Sequence, residues 1–521
     1  MTGDLVSSRS AARAGLAALV GVVALSLLAP AAAAQAPAWQ PVEGAVSFLG
    51  APGTTFTVPG HGRFIDRVDV VAGPDGRLVV VNELSIDRYV DGLAEVPVSW
   101  PMEALKAQAV AARTYAWYSI TLGTFRSRGY DFDICATVDC QVFHGRAVVE
   151  SPDGGRWHEA VEATAGQVLT WEGQPILARF FSSSGGHTRN NEHVYGNNGR
   201  TAGPRPYLVG VPDPDEAISP HHRWQLRLTR VELDRLFANG TSLSAAVPVA
   251  RLDWIPSDGS RVDQVRATRA DGHVVELSAS KFRAWVSEVG PRLLPNRFPP
   301  RTPSGKALPD GLPSSRFEFT LTAEEAVITG KGWGHGVGMS QWGARGKAER
   351  GMTYDDILAA YYGGLRPETI PDLPARVRVG LAWDAMQVTV RADGPYTIVA
   401  GGNGAELPGG VSWDVGAGNA DSVLLSGPPV AWSPDVTAPP PAAVAPSAGG
   451  PADGGPVTGS ASAPHPHPVH ADPPADDAAN VEEQAGTDSA AENGLLKRVR
   501  SALVEYAPPP VSTGLRWLLN R

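Results

Sequence analysis

Residues 91–101 read DGLAEVPVSWP, with a single glutamate, Glu95, in a mostly apolar run that precedes an alanine-rich stretch. Burial disfavours the charged form of a carboxyl, so an apolar strand-to-helix corner raises its pKa and keeps the proton on near neutral pH. A group in that state is a general acid. The competing reading is an ion pair with Lys106 or Arg113, which are seven apart and share one helix face. Direct pairing with either would lower the pKa and remove the acid.

A second stretch, GKGWGHGVGMSQWG from Gly330 to Gly343, has glycine at 330, 332, 334, 336 and 338. If the segment is extended, Lys331, Trp333, His335 and Val337 project one way and bare backbone faces the other. Backbone without Cβ atoms allows close approach. The G-x-G-x-x-G spacing of dinucleotide sites is missing at every register, and no Walker lysine and serine follow. A polysaccharide fits better, with peptide groups for its hydroxyls and an indole for its apolar ring face. The plainer reading is a glycine-rich turn with a structurally bonded histidine.

A third cluster, SSSGGHTRNNEHVYG from Ser182 to Gly196, gathers hydroxyls, His187, Asn190 and Glu192 in a loop after a strand, where binding groups often collect. A serine nucleophile is disfavoured, because Ser184 lacks the G-x-S-x-G elbow and an evident base. Cys135 and Cys140 are the chain's two cysteines. They suit a local disulfide in an exported chain. The rival is a metal site with His144, His187 or His193, but no pair has a recognised ligand spacing. No metal and no cofactor are assigned. The histidines of PHPHPVH (465, 467 and 470) are a weak metal signal in a linker.

Several elements must position these groups. The segment from Val68 to Ser85 holds two β-branched runs around Gly-Pro-Asp-Gly, a hairpin signal. PMEALKAQAVAARTYAWYSITLG predicts a long helix, with Ser99 as a cap, Pro101 in its first turn and Gly123 at its end. Downstream, a short helix, a strand to about Trp171 and a strand from Pro175 to Phe181 lead into the serine loop. Between 223 and 321, helical pieces (Thr229 to Phe237, Ser278 to Val289) alternate with β-like ones (Val262 to Arg269, Phe317 to Thr322). Ser340 to Arg350 and Thr353 to Tyr362 read as helices.

The 521 residues allow two or three domains, and a net charge of −10 without a basic block argues against a nucleic-acid partner. Arg9 and Arg13, an apolar run from Ala14 to Leu28, Pro30 and an Ala-x-Ala near Ala34 give the layout of a secretory signal peptide. The alternative is an uncleaved anchor; either places the body outside the cytoplasm. The expected division is a signal peptide over 1–35, an N-terminal β segment over 36–80 and a main domain over 81–365. A small β appendage over 366–432, a disordered Pro/Ala-rich linker over 433–490 and a short amphipathic tail over 491–521 complete it. The fold class is α+β, mixed helices and antiparallel β segments around a substrate groove. The basic tail offers weak contact with a membrane surface.

The blocks AEVP, PMEALKAQAVAARTYA, CATVDCQVFHG, AVEATAGQVLTWEGQPILARFFSSSGGHT, PYLVGVPDP and GKGWGHGVGMSQWGA occur in that order. Over about Val81 to Gly364 the chain resembles the SpoIID/LytB family of exported cell-wall proteins. The resemblance implies binding of peptidoglycan glycan strands, with lytic transglycosylase activity in the sporulation members and enhancement of a cell-wall amidase in others. The family's catalytic acid, the glutamate of A-E-x-P, falls on Glu95; Val96 stands where many relatives have methionine. Ser182, Ser183, Ser184, His187, Trp333, His335 and Gln341 carry over as groove candidates, and Lys106 and Arg113 stand with them as substrate-binding candidates. Glycosidases ordinarily use two carboxylates; a lytic transglycosylase manages with one.

Overall fold

The computed structural model describes residues 39–436 except 198–200, 241, 260, 309–310 and 420. The expected signal peptide, the tail, the linker histidines and all but the first residues of the linker lie outside the described residues. No helix among the described residues is long and apolar enough to cross a membrane.

Mixed helices and antiparallel sheets make the fold α+β. The hairpin forms where its turn chemistry places it: Arg67–Ala72 pairs antiparallel with Leu78–Ser85 across the Gly-Pro-Asp-Gly turn. Every residue of Leu78–Ser85 but the last is buried, as the apolar run Leu78–Val81 requires of a strand covered on both faces, and the polar Asn82 and Glu83 are buried with it. Its other neighbour is Arg376–Ala385, from the far end of the chain. The seven-stranded sheet runs Asn403–Leu407, Tyr396–Ala400, Val46–Gly50, Arg67–Ala72, Leu78–Ser85, Arg376–Ala385, Ile134–Cys135. A six-stranded sheet likewise mixes strands from 40–64 with strands from 387–426.

This pairing redraws the expected division. A boundary at residue 80 falls inside a strand, and the 366–432 segment does not stand off as an appendage, because its strands complete sheets begun by residues 40–85. The two ends share one core, in which Phe48, Val70 and Leu84 meet Val379, Tyr396 and Trp413. Arg378 ties them further: its guanidinium, 1% exposed, contacts Asp69 at 2.8 Å and Glu83 at 2.6 Å. A second core, around Trp224, Phe237, Phe282, Phe317 and Ile328, belongs to residues 223–331 alone.

A short helix, α1 (Ile86–Asp91), intervenes between the hairpin and the Glu95 loop, so the corner is helix-to-helix. Helix α2 (Met102–Leu122) follows. Its N-cap is Pro101, with Ser99 exposed two residues earlier, and it ends at Gly123 in the left-handed conformation (φ 60°). Alanines at 104, 107, 109, 111, 112 and 116 are buried on several sides of α2, because it is a central helix that packs against others around it. Small side chains permit that close packing.

The strand expected from Pro175 to Phe181 breaks in two. Gln174–Pro175 pairs with Thr170–Trp171, whereas Phe180–Phe181 pairs in parallel with Met339–Ser340. In the 223–331 unit, helices α3 (Arg230–Ala238) and α4 (Ala279–Leu293) fall where their patterns place them, α3 behind a Thr229–Glu232 capping box.

Candidate active site

A groove of about 870 Å³ opens beside the loop joining α1 and α2, and Glu95 lies in its wall. The loop is held by the Cys135–Cys140 segment: Ala94 N–H donates to the Val142 carbonyl at 2.9 Å, and Leu93 bridges to Phe143. Cys135 and Cys140 form a disulfide with Cα atoms 5.5 Å apart. Two residues beyond it, Val142 N–H donates to Glu95 Oε1 at 2.6 Å.

Glu95 retains partial access to solvent as a residue, while its carboxyl is enclosed by protein. Burial pushes its pKa up to about 7, and the bonds from Val142 and the Gln341 side chain hold it from rising further. No charged side chain contributes to the shift among the described residues. The sequence-level rivals have other partners. Lys106 binds Glu103 at 2.9 Å. Arg113, fully buried, binds Asp87 at 2.8 Å and the Gln167 and Val161 carbonyls. Neither lines the groove, so neither is placed to hold a substrate there.

The glycine segment is not an extended strand. Gly332, Gly334, Gly336 and Gly338 all have positive φ, between 72° and 107°, a region that side chains with Cβ rarely adopt. Their bare faces do not meet a ligand: a Cβ on Gly332 would lie 2.2 Å from the Ser183 carbonyl oxygen, and one on Gly338 2.0 Å from that of Arg179. The serine loop therefore occupies the space that the sequence left open. Ser183 exchanges backbone hydrogen bonds with Trp333 at 2.9 and 2.8 Å, and Arg189 N–H donates to the Gly336 carbonyl. Val337 is buried, while Trp333 and His335 line the groove.

Burial, with the nearby Arg179 charge second, pushes the His335 pKa down to about 3, so the ring is neutral. Its Nδ1 accepts from Val337 N–H at 3.1 Å, which leaves Nε2–H to donate to the Phe180 carbonyl. Gln341, first residue of helix α5 (Gln341–Glu349), donates through Nε2 to the Glu95 carbonyl at 3.3 Å and to Gln108 at 3.4 Å. The helix is capped by Ser340, whose hydroxyl accepts from Gly343 N–H.

Of Ser182–Thr188, Ser182 alone reaches the groove lining. The Ser183 hydroxyl donates to Glu216, and the Ser184 hydroxyl donates to Asp213 at 2.8 Å. Asp213 also accepts from Tyr361 at 2.6 Å and Lys347 at 3.0 Å. These serines anchor the loop to the PDP turn and are too buried to meet substrate. His187 is exposed, outside the groove, with Nδ1 2.7 Å from the Thr188 carbonyl. Among the described residues no group of three or more His, Cys, Asp or Glu side chains is arranged to hold a metal ion.

Sequence reasoning missed most of the lining. Trp100 and Trp342 cross edge to face at 5.1 Å and continue the aromatic wall beyond Trp333. Tyr115, Arg179 and Tyr195 come from α2 and from residues flanking the serine loop, and Arg283 comes from α4 in the 223–331 unit. Arg179 sits inside a quoted block without a role of its own and Arg283 carried no motif; only folding brings both to the groove that Glu95 lines.

Residues 74–171 match the model of the SpoIID family, stage II sporulation protein. Over 295 residues the chain is 30% identical to stage II sporulation protein D of Bacillus amyloliquefaciens, covering 55% of this chain and 74% of that protein. The chain belongs to the SpoIID/LytB family. An uncharacterized protein of Brachyspira hyodysenteriae is 34% identical over 294 residues, 55% of this chain and 68% of that protein. The amidase enhancer of Bacillus subtilis is 31% identical over 297 residues, 52% of this chain but 38% of its own length. The stretch matched by the SpoIID model begins in the hairpin turn, spans Leu78–Ser85, Glu95, α2 and the disulfide segment, and stops before the serine and glycine loops.

Proposed function

We propose that this SpoIID protein acts on the cell wall outside the cytoplasm, as a lytic transglycosylase that cuts the MurNAc–GlcNAc bond of peptidoglycan. The observation that carries the reading is one enclosed carboxyl with a pKa near 7, facing a groove walled by indoles and without an ion pair among the described residues. A group with that pKa is protonated in a useful fraction of molecules at neutral pH, and its conjugate base is strong enough to return for a proton.

Glu95 gives its proton to the glycosidic oxygen as the bond to C1 of MurNAc breaks, the electron pair leaving with that oxygen on GlcNAc. The Glu95 carboxylate then removes the proton from the C6 hydroxyl of the same MurNAc, and O6 closes on C1. The products are a 1,6-anhydroMurNAc end and a free GlcNAc 4-hydroxyl; no water is consumed and the carboxyl is restored. Val142 N–H stabilises the charged half of the cycle from Oε1, leaving Oε2 to carry the proton. Holding the C6 hydroxyl near C1 replaces an external nucleophile. Trp333, Trp342 and Trp100 offer the apolar faces on which sugar rings stack.

Digestion of purified glycan strands, with and without stem peptides, followed by mass analysis of the ends, tests this reading. Anhydro ends are expected, and Glu95→Gln should reduce them by about a hundredfold to ten-thousandfold in a folded protein. The similarity to an amidase enhancer favours a second reading, in which the protein binds strands and stimulates a cell-wall amidase. Intact strands, with amidase stimulation that survives Glu95→Gln, would select it.

A further inference from the structure

The groove holds two guanidinium groups that the one-carboxylate mechanism does not use. Arg179 precedes the serine loop; its Cζ lies 3.7 Å from the centre of the Tyr195 ring and one Nη donates to the Thr201 carbonyl at 3.2 Å. Its Nε is buried without a hydrogen-bond partner among the described residues. Arg283 enters from α4, with Nε donating to the Leu312 carbonyl at 2.9 Å. Both line the groove, and both charges act on the same two neighbours, His335 and Tyr195. Their positive ends therefore converge on one region of the wall. Among the described residues neither forms an ion pair with a carboxylate, whereas the buried Arg67, Arg113, Lys347 and Arg378 all do.

A guanidinium in the wall of an enclosed groove is unfavourable there without an anion to complete it. A neutral histidine and tyrosine between them supply no such charge. We propose that Arg179 and Arg283 form a carboxylate-binding subsite that reads an acidic group on the bound glycan, and so separates muramic-acid strands from neutral polymers of N-acetylglucosamine. Guanidinium is suited to this because its planar fork matches the two carboxylate oxygens. The carboxylate has two sources in peptidoglycan: the lactyl group of a muramic acid without peptide, or an acid of the stem peptide when the lactyl group is an amide. Because Arg283 comes from the 223–331 unit, that unit is a specificity element of the groove. The inference rests on the glycan-binding part of the proposed function and not on cleavage.

The test measures affinity in Glu95→Gln, which leaves ligands uncut. The probes are an N-acetylglucosamine tetrasaccharide, a GlcNAc–MurNAc tetrasaccharide with free lactyl carboxylates, the same sugar with those carboxylates reduced to alcohols, and a peptide-bearing tetrasaccharide. An acidic ligand should bind about tenfold or more tightly than the neutral ones, the worth of one charge-assisted contact. Whichever acidic ligand holds the advantage identifies the source. Arg179→Gln and Arg283→Gln should each erase the advantage by weakening the acidic ligand more than the neutral ones, and Arg283→Lys should keep part of it. If the glutamine variants do not fold, salt titration of the parent serves instead: the acidic ligand must weaken with salt while the neutral one does not. Equal binding of acidic and neutral ligands, or an advantage that survives both arginine replacements or salt, overturns the proposal. An advantage without any strand cleavage by the unsubstituted protein would keep the subsite and remove the transglycosylase reading.

Discussion

Two buried polar clusters lie on either side of the serine loop, and they are built on opposite principles. Behind the loop, Lys347 contacts Asp213 at 3.0 Å and Asp215 at 3.1 Å, while Arg350, Ser184 and Tyr361 bind the same carboxylates. Every charge there has a partner. In front of the loop, Glu95, Arg179 and Arg283 line a groove without one ion pair among the described residues. A matched cluster specifies a structure; an unmatched one stores electrostatic free energy that a substrate or a proton can release. The contrast separates scaffold from site more sharply than residue type does, since both clusters contain motif residues.

The contrast breaks first at Asp213. Asp213→Ala leaves Lys347, Ser184 and Tyr361 without their shared acceptor, and the expected loss of stability is about 3–5 kcal/mol, measured by urea denaturation. Glu95→Gln should do the reverse. A carboxyl whose pKa rises from 4.5 to about 7 on folding binds its proton more tightly in the native state. Its stabilising contribution is full below pH 4.5 and is lost as pH rises through about 7. The non-ionising glutamine escapes that loss, so the variant should match the parent near pH 4 and exceed it by up to about 3 kcal/mol at pH 8, read from paired melts.

The same ionisation governs cleavage: release of anhydro ends should fall about tenfold per pH unit above 7, as the acid form is depleted. The smallest effect belongs to Lys106. Its pair with Glu103 is a partly exposed i,i+3 contact outside the groove, so Lys106→Ala should cost about 0.3–0.5 kcal/mol and leave glycan affinity unchanged in a binding titration.

Much of the scaffold was legible because it is local. The hairpin turn, the ends of α2 near Pro101 and Gly123, and the helices at 230–238 and 279–293 follow from residues within a few positions of one another. The apolar neighbours of Glu95 were legible for the same reason, but its hydrogen-bond partners Val142 and Gln341 come from far along the chain. What escaped was either non-local or ambiguous in period. Alternating glycines allow an extended strand or a string of left-handed turns, and only the serine loop packed against them decides. Lys106 had a suitable acid three residues away in Glu103, which the Glu95 pairing argument passed over. Arg283 reaches the groove through a fold contact that no spacing encodes.

One consequence follows from the way the chain's ends share their sheets. Leu78–Ser85 has Arg67–Ala72 on one side from the beginning of synthesis, but its other edge stays open until Arg376–Ala385 arrives nearly three hundred positions later. Everything that lines the groove lies between those two strands. The groove is thus assembled late, by a long-range closure of the slow, topologically distant kind. A chain shortened to residue 365 would carry every lining residue and still expose an unpaired strand edge, which makes self-association, and not activity, its expected fate.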